Sequence, residues 1–220
     1  MSELTLYIGN KNYSSWSLRG WLLLKQVGTP FKEVVIPLNS PGPAPAIREH
    51  SPSGKVPALR YGDLAVWDSL AIAEYLAEEF HQAHLWPAER TARAMARSIS
   101  AEMHSGFPAL RSQMPMNIRR EPFELKRTPE VEAEIARVVQ IWGECRRRFG
   151  AQGPFLFGRL SVADAMFAPV ATRFRTYGVP MDEVTRGYVH AIHDHPAMRE
   201  WIVASSAEPW RLDVYDQIGR

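Results

Sequence analysis

The alternation of apolar and polar positions divides the chain into two parts near residue 84. Over residues 1–83, apolar runs of strand length alternate with apolar positions at helical spacing. After residue 90, the apolar positions recur at helical spacing only. The pattern therefore predicts an α/β domain over residues 1–83, a linker over 84–90 and an all-helical domain over 91–220.

The first part is predicted to have the order β-α-β-(α)-β-β-α. The first three elements make a βαβ unit, so we expect its two strands to be parallel with a right-handed crossover. Gly62-Asp63 has the turn chemistry of a hairpin between the last two strands. The predicted elements are strand Leu4–Ile8, helix Ser15–Val27, strand Phe31–Ile36, a short helix near Ala44–Glu49 within the Pro- and Gly-rich stretch 39–50, a loop over Ser51–Leu59 that leads into a strand, strand Ala65–Trp67 and helix Ser69–Phe80.

The second part carries several helix start signals. Thr128-Pro129-Glu130 combines a capping residue, proline at the first helical position and an acid in the first turn. Ser161-Val162-Ala163-Asp164 has the form of a capping box. The pattern predicts helices from about Thr91 to Gln113, from Thr128 to Phe149, from Ser161 through Pro169, and from Asp182 and His195-Pro196 onwards.

Composition narrows the class of protein. The 220 residues are 45% hydrophobic and 23% charged, and the formal net charge is only +2. These values are typical of a soluble globular protein and do not favour a nucleic-acid or membrane partner. The single cysteine, Cys145, excludes an internal disulfide and a multi-cysteine metal site. With no secretory signal and no apolar run of membrane-span length, a cytoplasmic location is predicted.

Three serines stand where the first strand runs into the first helix. Ser14, Ser15 and Ser17 fall at the amino-terminal end of the predicted helix, where unpaired backbone N–H groups and the positive helix pole favour a bound anion. Capping alone explains one of them.

Five motifs, in order along the chain, resemble those of the cytosolic glutathione S-transferase family. Ser14-Ser15-Trp16-Ser17-Leu18-Arg19 is similar to the Ser-Ser-Cys-Ser-Trp-Arg signature of the zeta class, with tryptophan at the cysteine position. Ser53–Leu59 resembles the loop that carries the family's cis-proline, and Trp67–Leu76 resembles the family's Glu/Asp-Ser glutathione motif. Glu102–Phe107 is similar to the Glu-Leu-His-Lys-x-Phe run of the bacterial beta class, and Ser161–Asp164 resembles the family's folding capping box.

The resemblance implies an α/β thioredoxin-like amino-terminal domain that binds glutathione and an all-α carboxy-terminal domain that shapes the pocket of a second substrate. It also implies a homodimer. Ser14 is expected to activate the glutathione thiol, with Ser15 and Ser17 as alternates. Ser14 is preferred because it lies outside the first helical turn and five residues before Arg19, a separation seen in the family.

The remaining motifs imply the glutathione contacts. A cis bond before Pro57 would present the Val56 backbone to the cysteinyl part of the tripeptide, although Pro57 can also simply begin an edge strand. Asp68 suits the γ-glutamyl ammonium, and Ser69 at the helix N-terminus suits the adjacent carboxylate. Lys55 either holds the glycyl carboxylate or is solvated.

Residues of the helical part remain ambiguous at this level. His104 either faces the cleft near the sulfur or is an ordinary packed residue. Glu102 either reaches the glutathione of a partner subunit or forms a surface ion pair, and Cys145 is expected to be structural. The candidates for the second-substrate pocket are Trp16, Met103, Phe107 and the loop Met114–Met116.

The predicted activity is transfer of the glutathione sulfur to a small electrophile by conjugation, isomerisation or peroxide reduction, with glutathione as co-substrate and no metal. One alternative is a zeta-like cis-trans isomerase of the maleylacetoacetate type, which the Trp16 substitution disfavours. The other is a non-catalytic glutathione-binding scaffold.

Overall fold

The computed structural model describes residues 3–38 and 43–219, with only the backbone described for residues 43 and 44. It contains the expected α/β half followed by a helical half. Residues 39–42, part of the stretch 39–50 discussed above, lie outside the described residues.

A four-stranded mixed sheet forms the centre of the amino-terminal half. Its order is β2-β1-β3-β4, in which β1 and β2 are parallel, as predicted, and β3 is antiparallel to both β1 and β4. The predicted hairpin between β3 and β4 is confirmed, with Gly62 at a φ of +60° that glycine adopts without strain. The strands are β1 (Leu4–Ile8), β2 (Lys32–Val35), β3 (Ala58–Tyr61) and β4 (Leu64–Trp67).

Three helices accompany this sheet, and α1 and α3 pack against each other. Leu6 and Ile8 of β1 and Leu23 of α1 are completely buried, so the apolar run of β1 lies within the core. Sheet and helices together form a thioredoxin-like domain. The helices are α1 (Ser15–Val27), α2 (Pro43–His50) and α3 (Ser69–Glu79).

The rest of the chain is helical and centres on one buried helix. Nearly every side chain of Val162–Thr176 is buried, and this helix packs against α1 as well as against its helical neighbours. It therefore fixes the helical half beside the serine turn. The helices are α4 (Arg90–Ser105), α5 (Pro108–Gln113), α6 (Pro129–Phe149), α7 (Val162–Thr176), α8 (Glu183–Asp194), α9 (Pro196–Ala207) and α10 (Asp213–Asp216).

The predicted helix starts are confirmed by their hydrogen bonds. The Thr128 hydroxyl accepts from the Val131 N–H, and the Asp182 carboxylate accepts from the Thr185 N–H. The capping box of α7 is closed by Asp164, whose carboxylate accepts from both the N–H and the hydroxyl of Ser161 at 2.8 Å.

One predicted helix is wrong: the span Thr91–Gln113 is two helices. Helix α4 ends at Ser105 because Gly106 is extended and Phe107 has a φ of +61°, and Pro108 then opens α5. Proline disfavours a helical conformation in the preceding residue, so Pro108 itself predicts a helix break at Phe107. The new direction of α5 matters for function because it carries Arg111 to the serine turn.

Candidate active site

Ser14 caps helix α1 at the serine turn. Its hydroxyl oxygen lies 3.4 Å from the Ser17 N–H, which donates to it, and its own proton is donated to the Ser17 hydroxyl oxygen at 2.7 Å. A first-turn N–H group and the positive helix pole therefore face the place where Ser14 Oγ lies.

Ser17 has a different environment from the other two serines. Its side chain is completely buried, and its oxygen accepts from the Gly9 N–H at 3.0 Å, which ties α1 to the end of β1. Ser17 does not line the cavity described below, whereas Ser14 and Ser15 do.

Ser15 lies against the helical half. Its hydroxyl oxygen accepts from the Arg173 Nη2 at 3.3 Å, across 158 positions of sequence. Since the oxygen is the acceptor in this bond, its hydroxyl proton remains available as a second donor next to Ser14.

A cavity of about 570 Å³ opens in front of the serine turn. Sequence segments that are far apart converge on it, and among the predicted pocket residues it includes Trp16, Pro115 and Met116. Met103 and Phe107, by contrast, are buried in the hydrophobic core and do not line it. The lining includes Tyr13, Ser14, Ser15, Trp16, Gly54, Lys55, Val56, Arg111, Pro115, Met116, Arg173, Leu212, Val214 and Tyr215.

The loop predicted to hold the backbone of glutathione lies on this cavity. The peptide bond between Val56 and Pro57 is cis, as predicted, and both Lys55 and Val56 line the cavity wall. The loop itself is held by Ser53, whose hydroxyl oxygen accepts from the Lys55 N–H at 3.2 Å. The Val56 loop and the serine turn therefore line the same cavity.

Asp68 and Ser69 open helix α3. Asp68 has a φ of +73° and caps the helix by accepting from the Leu70 N–H at 2.8 Å. Ser69 is completely buried, and its hydroxyl has no partner among residues 3–38 and 43–219. A helix N-terminus with an unsatisfied hydroxyl beside a carboxylate matches the carboxylate and ammonium of an amino-acid group.

His104 links this helix start to the cavity. Its Nε2 lies 2.7 Å from Asp68 Oδ2, and its ring makes a T-shaped contact with the Trp16 indole at a centroid distance of 5.3 Å. Burial raises the pKa of Asp68, but hydrogen bonds from His104 and the Leu70 N–H outweigh it and leave that pKa below its ordinary value. Asp68 therefore stays ionised throughout the neutral range.

Trp16 is a platform for two arginines. The Arg19 guanidinium lies 4.3 Å from the indole centroid and that of Arg111 lies 4.9 Å from it. Cation–π contacts of this kind offset part of the cost of bringing guanidinium groups together. The tryptophan at the cysteine position of the zeta-like signature thus organises charge around the cavity.

Arg19, Arg111 and Arg173 form an arginine cluster with no ion pair among the described residues. Arg173 donates to the Met114 carbonyl at 2.7 Å and Arg111 to the Gly106 carbonyl at 2.9 Å. In the part of the chain that the structure covers, the Nη1 atoms of Arg111 and Arg173 and all three side-chain nitrogens of Arg19 lack hydrogen-bond partners.

Burial and mutual repulsion within the cluster lower the pKa values of Arg19 and Arg173. Burial and the nearby Arg111 lower the pKa of Arg173 to about 10, and burial together with Arg111 and Arg173 lowers that of Arg19. All three remain cationic at neutral pH, because a guanidinium keeps its proton in proteins even where burial lowers its pKa. Buried donors with unpaired positive charge favour an anion in the cavity.

The cavity lining does not include the predicted residues Asp68, Ser69 and His104, and the remaining predicted residues, Glu102 and Cys145, lie outside the cavity as well. Both carboxylate oxygens of Glu102 accept from Arg137, at 2.7 and 2.9 Å, so Glu102 forms an ion pair within its own chain. Cys145 is buried in the core, and burial raises its pKa to about 12, which leaves an inert thiol.

No local sequence signal marks Tyr13, Arg111, Arg173 or the carboxy-terminal residues of the cavity as site residues. The arginines lie on helices α5 and α7, where nothing local distinguishes them from solvated arginines. Only burial separates the two kinds, as on α7, where Arg173 is buried and Arg175 is exposed.

No helix among the described residues is long and apolar enough to cross a membrane. Within that same part of the chain, no group of three or more His, Cys, Asp or Glu side chains is arranged to hold a metal ion.

Family models match both halves of the chain. The glutathione S-transferase amino-terminal domain matches residues 13–79, and the glutathione S-transferase carboxy-terminal domain matches residues 128–204. The two ranges together take in more than half of the sequence. The chain belongs to the glutathione S-transferase family.

Individual relatives are distant. The chain is 26% identical to the maleylacetoacetate isomerase of Pseudomonas aeruginosa over 90% of its length and 94% of that protein. It is 35% identical to a probable maleylacetoacetate isomerase of Caenorhabditis elegans, but this match spans only 48% of each chain. The fold is similar to that of a glutathione transferase homolog from Burkholderia solved with bound glutathione, with a TM-score of 0.70, 24% identity, and coverage of 94% of this chain and all of the other.

Proposed function

We propose that the protein is a glutathione transferase that binds glutathione as the thiolate, with Ser14 donating a hydrogen bond to the sulfur. The observation that carries this proposal is the position of Ser14, which caps α1 and lines a cavity shared with the Val56 loop. To donate to sulfur, the Ser14 hydroxyl turns away from Ser17.

The energies suffice without a general base. A free thiol has a pKa of about 8.5, so a predominantly ionised thiol at neutral pH needs roughly 2.7 kcal/mol in favour of the anion. One hydrogen bond to a charged group supplies about 1.5–3 kcal/mol. A helix N-terminus adds about 0.3–2 kcal/mol. The cationic Arg173, which contacts Ser15, acts in the same direction.

The glutathione contacts follow the predicted assignments. Val56 offers its backbone to the cysteinyl residue and Lys55 its ammonium to the glycyl carboxylate. Asp68 takes the γ-glutamyl ammonium, and Ser69 the γ-glutamyl carboxylate. The unsatisfied Ser69 hydroxyl and the ionised Asp68 support this part of the proposal.

The second substrate in this proposal is an electrophile that carries a carboxylate. The unpaired Nη1 atoms of Arg111 and Arg173 support this, since a carboxylate satisfies both their charge and their donors. The same observation favours a second candidate function, a zeta-like isomerisation of a maleyl compound, in which glutathione adds to the double bond and then leaves. The isomerase names of the relatives point in the same direction.

A homodimer and a cytoplasmic location remain parts of the proposal. Leu64 and Trp67 on the edge strand β4 are 46% and 44% exposed, which supports a subunit contact there. Sedimentation of wild type and Trp67→Glu tests it, and a monomeric wild-type protein contradicts it. The lone cysteine, typical of a reducing compartment, supports the location.

An activity panel tests the function. Wild type and Ser14→Ala are assayed with glutathione and an aryl halide, an organic hydroperoxide or a maleyl compound. Turnover of the aryl halide supports transfer, turnover of the maleyl compound alone supports isomerisation, and glutathione binding without any turnover favours the scaffold alternative.

A further inference from the structure

The segment after helix α9 crosses to the opposite half of the protein and forms part of the cavity wall. Residues 208–219 make up this segment, here called the carboxy-terminal strap, and Leu212, Val214 and Tyr215 within it line the cavity. Its one short helix, α10, contains no buried side chain. Hydrophobic burial therefore contributes little to the position of α10, whereas Ile218, beyond this helix, packs partly buried against the hydrophobic core.

Polar contacts to the residues just before Ser14 hold the part of the strap from Glu208 to Asp216. At its start, the Glu208 carboxylate accepts from the backbone N–H groups of Lys11 and Asn12, at 2.7 and 3.1 Å. Further along, the Leu212 N–H donates to the Tyr13 hydroxyl oxygen at 3.1 Å.

The centre of this attachment is the pair of Tyr13 and Asp216. The Tyr13 hydroxyl donates to the Asp216 carboxylate, both oxygens of which lie 3.1 Å away, and Asn117 donates to the same carboxylate at 2.7 Å. Arg119 also donates to the Tyr13 oxygen at 3.2 Å. The phenol has one proton to donate and two acceptor sites, so its hydrogen-bonding capacity is fully used.

We propose that the hydrogen-bonded pair Tyr13 and Asp216, here called the Tyr13–Asp216 clamp, fixes the strap as a wall of the electrophile site. Val214 is then a specificity-determining residue, and this inference rests on the proposed transferase function. Val214 is 71% exposed although it lines the cavity, which places it at the rim where a substrate enters. Tyr13 is adjacent to Ser14, so the residue that holds this wall also neighbours the proposed thiol donor. The strap limits the bulk of the electrophiles that reach the sulfur.

The clamp is tested by amide hydrogen exchange in Tyr13→Phe and Asp216→Ala, which needs no substrate. Loss of either partner is expected to speed exchange over residues 212–217 at least tenfold while exchange in β1 and α7 stays as in wild type. Wild-type exchange over 212–217 in both variants overturns the clamp. Faster exchange everywhere in a variant also counts against it, because the contact is then part of the general fold.

The wall is tested with two electrophiles that react alike and differ in bulk, benzyl chloride and 9-(chloromethyl)anthracene. In each, the glutathione sulfur forms a bond to the benzylic carbon and chloride leaves. Val214→Trp is expected to lower the ratio of kcat/KM for the anthracene to that for benzyl chloride about tenfold. Val203 is a matched control because it is equally exposed, at 71%, but does not line the cavity. Val203→Trp is expected to leave the ratio unchanged, and equal ratios in the two variants overturn the role of the strap.

A failure of the proposed function is distinguishable from a failure of this inference. If wild type turns over neither chloride, binding of 8-anilinonaphthalene-1-sulfonate to the cavity replaces the kinetic measurement. Val214→Trp is then expected to weaken dye binding at least threefold relative to Val203→Trp, and equal affinities overturn the inference.

Discussion

The imidazole Nε2 of His104 lies 2.7 Å from the Asp68 carboxylate, which joins helix α4 of the helical half to the start of α3 in the sheet half. Because Asp68 also caps α3, its two oxygens have separate partners, His104 for one and the Leu70 N–H for the other. These two contacts hold the carboxylate in one orientation.

Asp68→Asn is expected to weaken glutathione binding tenfold to a hundredfold, about 1.5–3 kcal/mol, because an amide cannot pair with the γ-glutamyl ammonium as a carboxylate does. Asparagine retains the helix cap and tolerates the positive φ of +73°, so thermal stability should barely change. Titration calorimetry measures the affinity. Wild-type affinity in the folded variant removes Asp68 from the site.

His104→Ala is expected to shift the pH dependence of glutathione binding. The His104 hydrogen bond lowers the pKa of Asp68. Ionised Asp68 therefore contributes fully to binding at and above the ordinary carboxyl pKa, and this contribution is lost only as the pH falls through the lowered pKa of Asp68. Without His104, that loss should move to higher pH. Calorimetry from about pH 3.5 to 7 shows the displacement, and superimposable wild-type and variant profiles contradict it.

Ser14→Ala is expected to keep the fold and much of the glutathione affinity but to raise the pKa of the bound thiol by roughly one to two units, from the loss of one charged hydrogen bond. Ser15→Ala and Ser17→Ala serve as neighbouring controls and should have much smaller effects. Ultraviolet titration of the bound thiolate measures all three. If Ser15→Ala raises the pKa and Ser14→Ala does not, the donor is Ser15, which the Arg173 contact already places at the cavity.

Arg173→Gln is expected to lower kcat/KM for a maleyl dicarboxylate by tenfold to a hundredfold, about 1.5–3 kcal/mol, and that for a neutral aryl halide less than threefold. The reason is that its unpaired Nη1 is the donor left for a substrate carboxylate. Arg175→Gln, on the same helix but exposed, is the matched control. Equal losses for both substrates would assign Arg173 to the fold instead.

Asp164→Ala is expected to cost at least about 3 kcal/mol of unfolding free energy, because three buried donors from Leu156 and Ser161 lose their acceptor and each such loss costs about 1–3 kcal/mol. Asp194→Ala, an exposed aspartate, should change stability little. Chemical denaturation compares them, and similar midpoints would contradict the structural role of the capping box.

The same carboxyl gives stability a pH dependence. Burial raises the pKa of Asp164 to about 6. The unfolded chain ionises first as pH rises, so this group lowers the free energy of unfolding between about pH 4 and pH 6. The fall should be absent in Asp164→Ala. Denaturation midpoints across that range measure it, and parallel profiles in wild type and variant would contradict it.

Local features of the sequence determine most of the secondary structure and indicate the family. Ser14, Thr128 and Asp182 are recognisable as caps because a cap bonds to an N–H three residues away, within the reach of a sequence motif. The break at Gly106 is equally local, but the apolar spacing continues across it, so spacing alone predicts one helix where Pro108 opens a second.

The composition of the site was decided by tertiary structure. Arg173 meets Ser15 across 158 positions, and Tyr13 meets Asp216 across 203, so no window of sequence contains either pair. From sequence alone, a charged side chain is expected to be solvated. Arg173 is buried because α7 packs against α1, which removes water from its guanidinium. The sequence alone determines that a helix begins at the serine turn. The tertiary structure decided which cations and which wall surround it, because desolvation and convergence are properties of the packed chain.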